Sequence, residues 1–513
     1  MFYSILFETK EKEIPLIDQK PCLYDLHLDI YFSHLLKEIE KYDLEKHYYT
    51  MLNDVDTIYY RQEILKDLDN LDVLKEIKQF SIKTALLKNT MDTVRSVLNS
   101  KGNKDGSYIT YGIMLEAAET YCLSLEELME RWEGLPLNSR GLLSLKEYIK
   151  EYAAKEEFIS LSKDVKELRE IFNNLHYTME IKGINLKLNK YKNEESLTDQ
   201  INELFKKFYV ESNKNYAQKV TKGLFEKRIE VSLVNLLAKT YKDEYKKLEL
   251  FCKKYQNFDD DTLLRFSREV QFYLGWLDSL TYMKEDGLPF CYPTIIDNYG
   301  EEMDDLFDIA LAENKLSKTV LNSVKLKQNE NILVITGPNQ GGKTTFSRAI
   351  GQIHYLATLG LSVPGSMAKV RLIDNVLTHF EKEETIETLN GKLMDELERL
   401  QVLRNQATKN SLLIINEIFA STTSDDAKEL GTLMMKWLTD LGGMAIIVTF
   451  LDELASYGDN VLSLMTTVDE NHNRLYKIIS KTPDGNAYAS DIQEKYELTL
   501  SDLERRLARW KHI

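Results

Sequence analysis

Ile332-Leu333-Val334-Ile335-Thr336-Gly337-Pro338-Asn339-Gln340-Gly341-Gly342-Lys343-Thr344-Thr345 decides the fold of the C-terminal third of this 513-residue chain. An apolar strand runs into a GxxxxGK[ST] loop, and Phe346, Ile350 and Ile353 carry a helix away from it. Backbone N–H groups of such a loop and of the helix N-terminus cradle phosphates. The expected ligands are ATP and Mg²⁺. Gly337, Pro338, Asn339, Gln340, Gly341, Gly342, Lys343, Thr344 and Thr345 form the expected nucleotide cradle, with Lys343 reaching the β and γ phosphates and the Thr344 hydroxyl on the metal. A glycine-rich turn that binds nothing is the bland alternative, and the strand, loop and helix order speaks against it.

A second apolar strand, Leu412 to Ile415, delivers Asn416 and Glu417 to the same sheet edge. An NTPase needs there a metal-associated group and a group that activates water, so Glu417 is the candidate base and Asn416 a candidate metal ligand beside it. Asn416 offers one neutral oxygen where a carboxylate is usual, which predicts weaker Mg²⁺ binding and slow turnover. A third strand, Ala445 to Val448, ends at Thr449, read either as a γ-phosphate sensor or as a plain strand-terminal threonine. Asn390-Gly391-Lys392 precedes a helix-like Leu393-Met394-Asp395-Glu396-Leu397 and reads either as an anion site or as a solvated helix start.

Around these motifs the chain has the composition of a globular protein, 43% hydrophobic and 29% charged, with no apolar run long enough for a membrane span. The apolar opening Met1 to Phe7 is followed at once by Glu8, Lys10, Glu11 and Lys12, without a basic leader or cleavage site. Cys22, Cys122, Cys252 and Cys291 lack metal-site spacing, so a cytoplasmic location is expected. A net charge of −16 argues against binding nucleic acid over the whole surface but leaves room for a local basic face.

Between Pro136 and Pro289 there is no proline, and the stretch is dense in Leu, Lys, Glu and Tyr. It reads as long helices, with apolar stripes at Leu161, Val165, Leu168, Phe172 and Leu175, and again from Phe225 to Leu248. Upstream, Leu68, Leu71, Leu74 and Ile77 read as one helix face. Alternation at Tyr177, Met179 and Ile181, then at Ile184, Leu186 and Leu188, around Lys182-Gly183, predicts a hairpin interrupting the helices. After Pro293 the texture becomes α/β with a largely parallel sheet.

Taken together, Ile335 to Thr345 resembles the TGPNMGGKS/T loop of the MutS family. Gly360, Val363-Pro364, Ala368, Ile373-Asp374, Val376 and Thr378 look like the segment that follows it. Asn416-Glu417-Ile418 with Thr422 and Asp426 resembles the DEIGRGTS region, and Thr449, Glu453 and Leu454 the THYxEL strand end. Gly485, Ala487-Tyr488 and Ala489 resemble the C-terminal SYGxxVA stretch. More weakly, Thr57 to Gln62, and Leu274 through Tyr282 to Pro289, look like the start and return of the family's helical core and lever. The hairpin would stand as a shortened clamp. Lys206, Lys207, Lys214, Lys219, Lys222, Lys227 and Arg228 are then candidate phosphate contacts on DNA, or else a solvated helix face.

The resemblance implies an α-helical core and lever region followed by a C-terminal α/β P-loop ATPase domain of the ABC/MutS type. The expected segments are an extension at 1–20, helical core and lever at 21–160, lever helices and hairpin at 161–260, core return at 261–300, and ATPase at 301–513. It also implies a homodimer with nucleotide sites completed across the interface, coupled to double-stranded and perhaps branched DNA, with no membrane. Neither the domain that inserts Phe-x-Glu at a mismatch nor an Smr nuclease domain is expected, since the chain starts near the core and ends at Ile513 after a helical Leu500 to Trp510. Asn416, Phe450 and Ala420 stand where the family has Asp, His and Arg, and Gly391-Lys392 stands where it has Ser-Thr. Lys392 is therefore a candidate to reach the partner's γ-phosphate. A rival reading is an ATP-gated interaction protein that hydrolyses poorly and clasps a protein.

Overall fold

The structure is a computed structural model describing residues 2–17, 21–99, 107–182, 185–192, 224–297, 299–316, 319–380, 392–419, 422–469 and 473–483. Its helices in chain order are α1 Pro21–Asp25, α2 Leu28–Ile39, α3 Glu45–Tyr49, α4 Val55–Leu68, α5 Leu71–Asn99, α6 Ser107–Trp132, α7 Arg140–Ala153 and α8 Glu156–Asn173, then α9 Leu224–Thr240, α10 Lys242–Lys254, α11 Asp261–Glu269, α12 Gln271–Glu285, α13 Ile309–Asn314, α14 Lys343–Thr358, α15 Lys392–Gln406 and α16 Ser424–Leu441. Its strands are β1 Tyr177–Lys182, β2 Asn185–Lys190, β3 Phe290–Cys291, β4 Thr294–Ile296, β5 Glu302–Leu306, β6 Asn322–Lys325 and β7 Ile332–Thr336, then β8 Val363–Pro364, β9 Met367–Arg371, β10 Val376–His379, β11 Leu412–Asn416, β12 Met444–Val448, β13 Val461–Val468 and β14 Arg474–Ser480. Two compact units result: Met1–Phe2, Asn70–Leu137 and Leu142–Arg268 form one, and Tyr3–Asp69, Asn138–Gly141 and Glu269–Ile513 the other.

Among its described residues the first unit is helical apart from the β1–β2 hairpin. Its core is aromatic: Tyr121 of α6 meets Tyr152, Phe158 and Phe258, and Phe172 of α8 meets Tyr245 edge-on at 5.3 Å. Leu161, Val165 and Leu168 are buried as their spacing predicts. Two expected stripes are corrected. Asn70 Oδ1 accepts the N–H groups of Asp72 and Val73, capping a new helix at α5. The phase therefore resets: Leu71 is 78% exposed, while Val73, Ile77 and Phe80 are buried. The 225–248 run is two helices rather than one, because Tyr241 leaves helical geometry (φ −116°, ψ 56°). Its hydroxyl donates to the His176 carbonyl and its ring receives the Lys190 ammonium at 4.9 Å, tying the break to the hairpin. The hairpin pairs Tyr177 with Lys190 through Lys182 with Asn185. Lys206, Lys207, Lys214, Lys219 and Lys222 lie outside the described residues, as does the 485–510 stretch.

In the second unit a six-stranded sheet has the order β10-β11-β12-β7-β13-β14, parallel from β10 to β13 and antiparallel at β14. β7, β11 and β12 are buried at every residue, as near-continuous apolar runs require inside a parallel sheet. The expected strands thus fall where they were read, each to within a residue or two. β4-β9-β5-β6 form a second sheet and β3-β8 a third. Helix α14 buries thirteen of its sixteen residues, so it is covered on nearly every side.

Residues Tyr3–Asp69 supply much of that cover and fold with the sheet. Arg348 Nε donates to the Asp25 carbonyl, Gln352 Nε2 to the Leu26 carbonyl and the Tyr355 hydroxyl to the Tyr48 carbonyl. The Leu52 N–H donates to the Thr358 carbonyl. At the far end the fully buried Arg61 of α4 donates to the carbonyls of Leu6 (3.1 Å) and Leu359 (3.0 Å), its guanidinium between the rings of Phe7 and Phe272. Gln62 Nε2 donates to the Pro293 carbonyl, and the Tyr59 hydroxyl accepts the Ile295 N–H. Among the described residues, no helix is long and apolar enough to cross a membrane.

Candidate functional site

β7 lies between two parallel neighbours, and its carboxyl end opens into the loop near the middle of the sheet, where α/β proteins place ligands. Gly337 (φ 109°) and Gly342 (φ 91°) take the left-handed backbone that glycine adopts freely. A Cβ on Gly337 would meet Thr466 Oγ1 at 2.5 Å and one on Gly341 would meet it at 2.7 Å. Thr466 of β13 therefore presses directly under the loop. Its hydroxyl and that of Thr336 are buried without a hydrogen-bond partner among the described residues. Gln340 also has a positive φ of 60°, which in a non-glycine residue is strain held by its surroundings.

Lys343 is buried and folded back into the loop: its ammonium donates to the carbonyls of Gly337 (2.8 Å) and Pro338 (3.2 Å) and to Asn339 Oδ1 (3.3 Å). Burial pushes it below the ordinary lysine range, the Glu417 carboxylate acts in the opposite sense, and the Arg474 guanidinium adds to the lowering. The Thr344 hydroxyl donates to Asn416 Oδ1 at 2.9 Å. Glu417, immediately after β11, has φ 52° and donates its N–H to the Val448 carbonyl at 2.8 Å. Phe419 (φ 63°) is held by Glu396 Oε2, which accepts its N–H at 3.2 Å. The turn after β11 is thus strained and pinned to α15 and β12.

A cavity of about 630 Å³ brings the motifs together. Gln340, Gly341, Gly342, Lys343, Thr344, Thr345 and Glu417 line it. Leu306, Phe307, Asp308, Leu311, Lys315, Thr319, Val320, Asn322 and Tyr476 line it as well. Sequence reading found none of this second group. They precede β7 or sit on β14 and carry no motif; only the fold brings them to the loop. Asp308 is among them, its carboxyl raised by burial despite Gln352 Nε2 at 2.7 Å. Pro338 and Asn339 act through their bonds to Lys343 instead of lining the cavity.

Thr449 is not among the residues that line the cavity. Thr449 is fully buried, its N–H on the Ile335 carbonyl and its hydroxyl accepting the Leu451 N–H at 3.0 Å. Phe450, next along, is 52% exposed. α15 begins at Lys392, whose side chain is outside the described residues, as are Gly391 and Ala420. Among the described residues no cluster of His, Cys, Asp and Glu has metal-site character, and none of the four cysteines is in a disulfide.

Residues 333–492, from β7 through the β13–β14 hairpin, match the family model of MutS domain V. This part of the chain is similar to MutS domain V. Over 252 residues it is 27% identical to the DNA mismatch repair protein MutS of Synechococcus sp. (strain CC9605), covering 48% of this chain and 27% of that protein. Over 159 residues it is 29% identical to the DNA mismatch repair protein MSH4 of Arabidopsis thaliana, covering 30% of this chain and 20% of that protein. The match to these relatives spans about a quarter of their length, and its family model covers the loop, both strand ends and the hairpin over them.

Proposed function

We propose that this chain is a MutS-related ATPase of the P-loop type that couples nucleotide state to binding of DNA. The observation that carries the reading is the cavity that the loop, Lys343, Thr344 and Glu417 line together. Loop N–H groups and the α14 N-terminus suit phosphates. Lys343 is a cation that can exchange the loop's carbonyls for phosphate oxygens. Mg²⁺ would be held by the oxygens of Thr344 and Asn416, beside Glu417, and would neutralise charge on the phosphates. The donor set fits a hard cation, since all three side chains present oxygen. Glu417 is the proposed base for the attacking water, its backbone strained in the way functional positions often are.

Support for DNA comes from the relatives, both of which are DNA mismatch repair proteins by name. The hairpin and the lysines after it are the proposed contact region, binding branched or otherwise non-B DNA. We further propose a homodimer in the cytoplasm, with Lys392 of each copy reaching the other copy's nucleotide. The neutral Asn416 and the acidic balance favour the rival, an ATP-gated switch that hydrolyses slowly and grips a protein. One experiment separates them: ATP hydrolysis by wild type, Glu417→Gln and Lys343→Ala, each with a four-way junction, a mismatched duplex, a perfect duplex or no DNA, at low and moderate salt. Turnover that needs Glu417 and rises most with the junction supports the first reading. Nucleotide binding with no DNA effect at low salt overturns it in favour of the switch.

A further inference from the structure

The β13–β14 hairpin does more than complete the sheet. Met465 of β13 pairs with Thr336, the last residue of β7, so everything in β13 beyond it stands at the level of the loop. Val468, three residues on, pairs with Arg474 across the hairpin. Arg474 is therefore at the carboxyl end of the sheet, beside the loop rather than behind it. Two neighbours confirm the level: Thr466 presses on Gly337 and Gly341, and Tyr476, two residues along β14, lines the cavity against Gly342.

At this position Arg474 carries an unmet requirement. Its Nη1 is out of contact with solvent and has no hydrogen-bond partner among the described residues. A buried guanidinium N–H without an acceptor is unfavourable, and an anion satisfies both its hydrogen bonding and its charge. The nearby Lys343 ammonium, which feels the Arg474 charge, makes the pair still less favourable while nothing negative lies between them. Both costs are removed by a polyanion bound at the loop.

We propose that Arg474 is a second cation of the nucleotide site, supplied by the sheet hairpin to bind the terminal phosphate beside Lys343. This rests on the phosphate-loop reading above and adds to it a residue outside the loop motif. A planar two-pronged donor can hold two phosphate oxygens where the lysine offers a point charge. It also compensates in part for Asn416, because positive charge that the neutral metal ligand does not help to anchor is provided by the protein.

The test is equilibrium binding of ATPγS and of ADP, with Mg²⁺, to the full chain as wild type, Arg474→Gln, Arg474→Lys and Lys343→Ala, with thermal unfolding of each variant. Arg474→Gln is expected to weaken ATPγS by roughly tenfold and ADP by less than about twofold, with Arg474→Lys recovering only part of the loss. Equal weakening of both nucleotides, or no change in either, overturns the proposal. If Arg474→Gln unfolds, the Arg474→Lys ratio of ATPγS to ADP decides in its place, an unchanged ratio counting against the proposal. Should Lys343→Ala abolish binding while Arg474 variants bind normally, the phosphate-loop reading stands and only Arg474 is wrong. Wild type that binds neither nucleotide overturns both.

Discussion

The Thr344 hydroxyl donates to the Asn416 side-chain oxygen at 2.9 Å, joining the first turn of α14 to the end of β11 across 72 positions of sequence. An aspartate at 416 can accept the same hydrogen bond, so Asn416→Asp keeps the contact and adds a negative charge where the metal is proposed to bind. Mg²⁺ titrations of ATP hydrolysis should then shift to lower concentration, on the order of tenfold, with faster turnover at limiting metal. An unchanged Mg²⁺ dependence would remove Asn416 from the metal site.

Glu417 lines the same cavity as Lys343, and its charge opposes the burial penalty on that lysine. Glu417→Gln is isosteric and removes the proposed base. Turnover should fall on the order of 10²-fold or more, while the affinity for ATPγS changes little. Loss of binding and turnover in equal measure would mean that Glu417 serves the ground state and not the chemistry.

Arg61 is the buried cation at the far end of α14, donating to the carbonyls of Leu6 and Leu359. Arg61→Met should destabilise the chain by about 3 kcal/mol, since two carbonyls lose a charged donor in a site closed to water. Denaturant unfolding measures this. Gly360 has φ 75°, and a Cβ there would meet Arg61 Cβ at 2.7 Å and the Ile58 carbonyl at 3.0 Å. Gly360→Ala should therefore disturb the same joint through strain as well as crowding.

Glu301 is buried between two bases, accepting from Arg371 Nε at 2.9 Å and from His354 Nε2 at 3.1 Å, while His354 Nδ1 faces the Ile350 carbonyl. Burial raises the Glu301 carboxyl, but His354 and then Arg371 outweigh it and hold the group below its usual 4.5. A carboxyl depressed in the folded state stabilises the protein above its unfolded value, and that stability is lost as pH falls through the folded value. Midpoint temperatures should drop as pH is lowered below about 4.5. Glu301→Gln should cost about 3–5 kcal/mol at pH 7 and show a flatter acid limb. A parallel acid limb in the variant would show that other carboxylates govern the transition.

Much of the site was legible in the sequence because its chemistry is local. A glycine-rich turn between an apolar strand and a helix needs its residues in consecutive order, so Gly337 to Thr345 could be named without coordinates. Apolar runs ending in Asn416-Glu417 and Thr449 likewise mark strand ends, because a fully buried parallel strand leaves polar residues only where it emerges. Periodicity alone could not say where one helix stops and the next begins. The Asn70 cap and the Tyr241 break depend on hydrogen bonds that reset the phase while the apolar spacing continues.

What only the tertiary structure decided is which distant residues share the site. Asp308, Asn322, Arg474 and Tyr476 have no spacing relationship to the loop, and a one-dimensional pattern carries no record of strand order. The β7–β13 and β13–β14 registers bring Thr466 and Arg474 level with Gly337, and the packing of Tyr3–Asp69 along α14 makes Arg61 part of the same unit. Sequence alone determined the loop and the parallel sheet, since each rests on neighbouring residues. The walls of the cavity and the place of Arg474 beside the loop depend on hydrogen-bonded register between strands far apart in the chain, and register is settled only when the whole core closes.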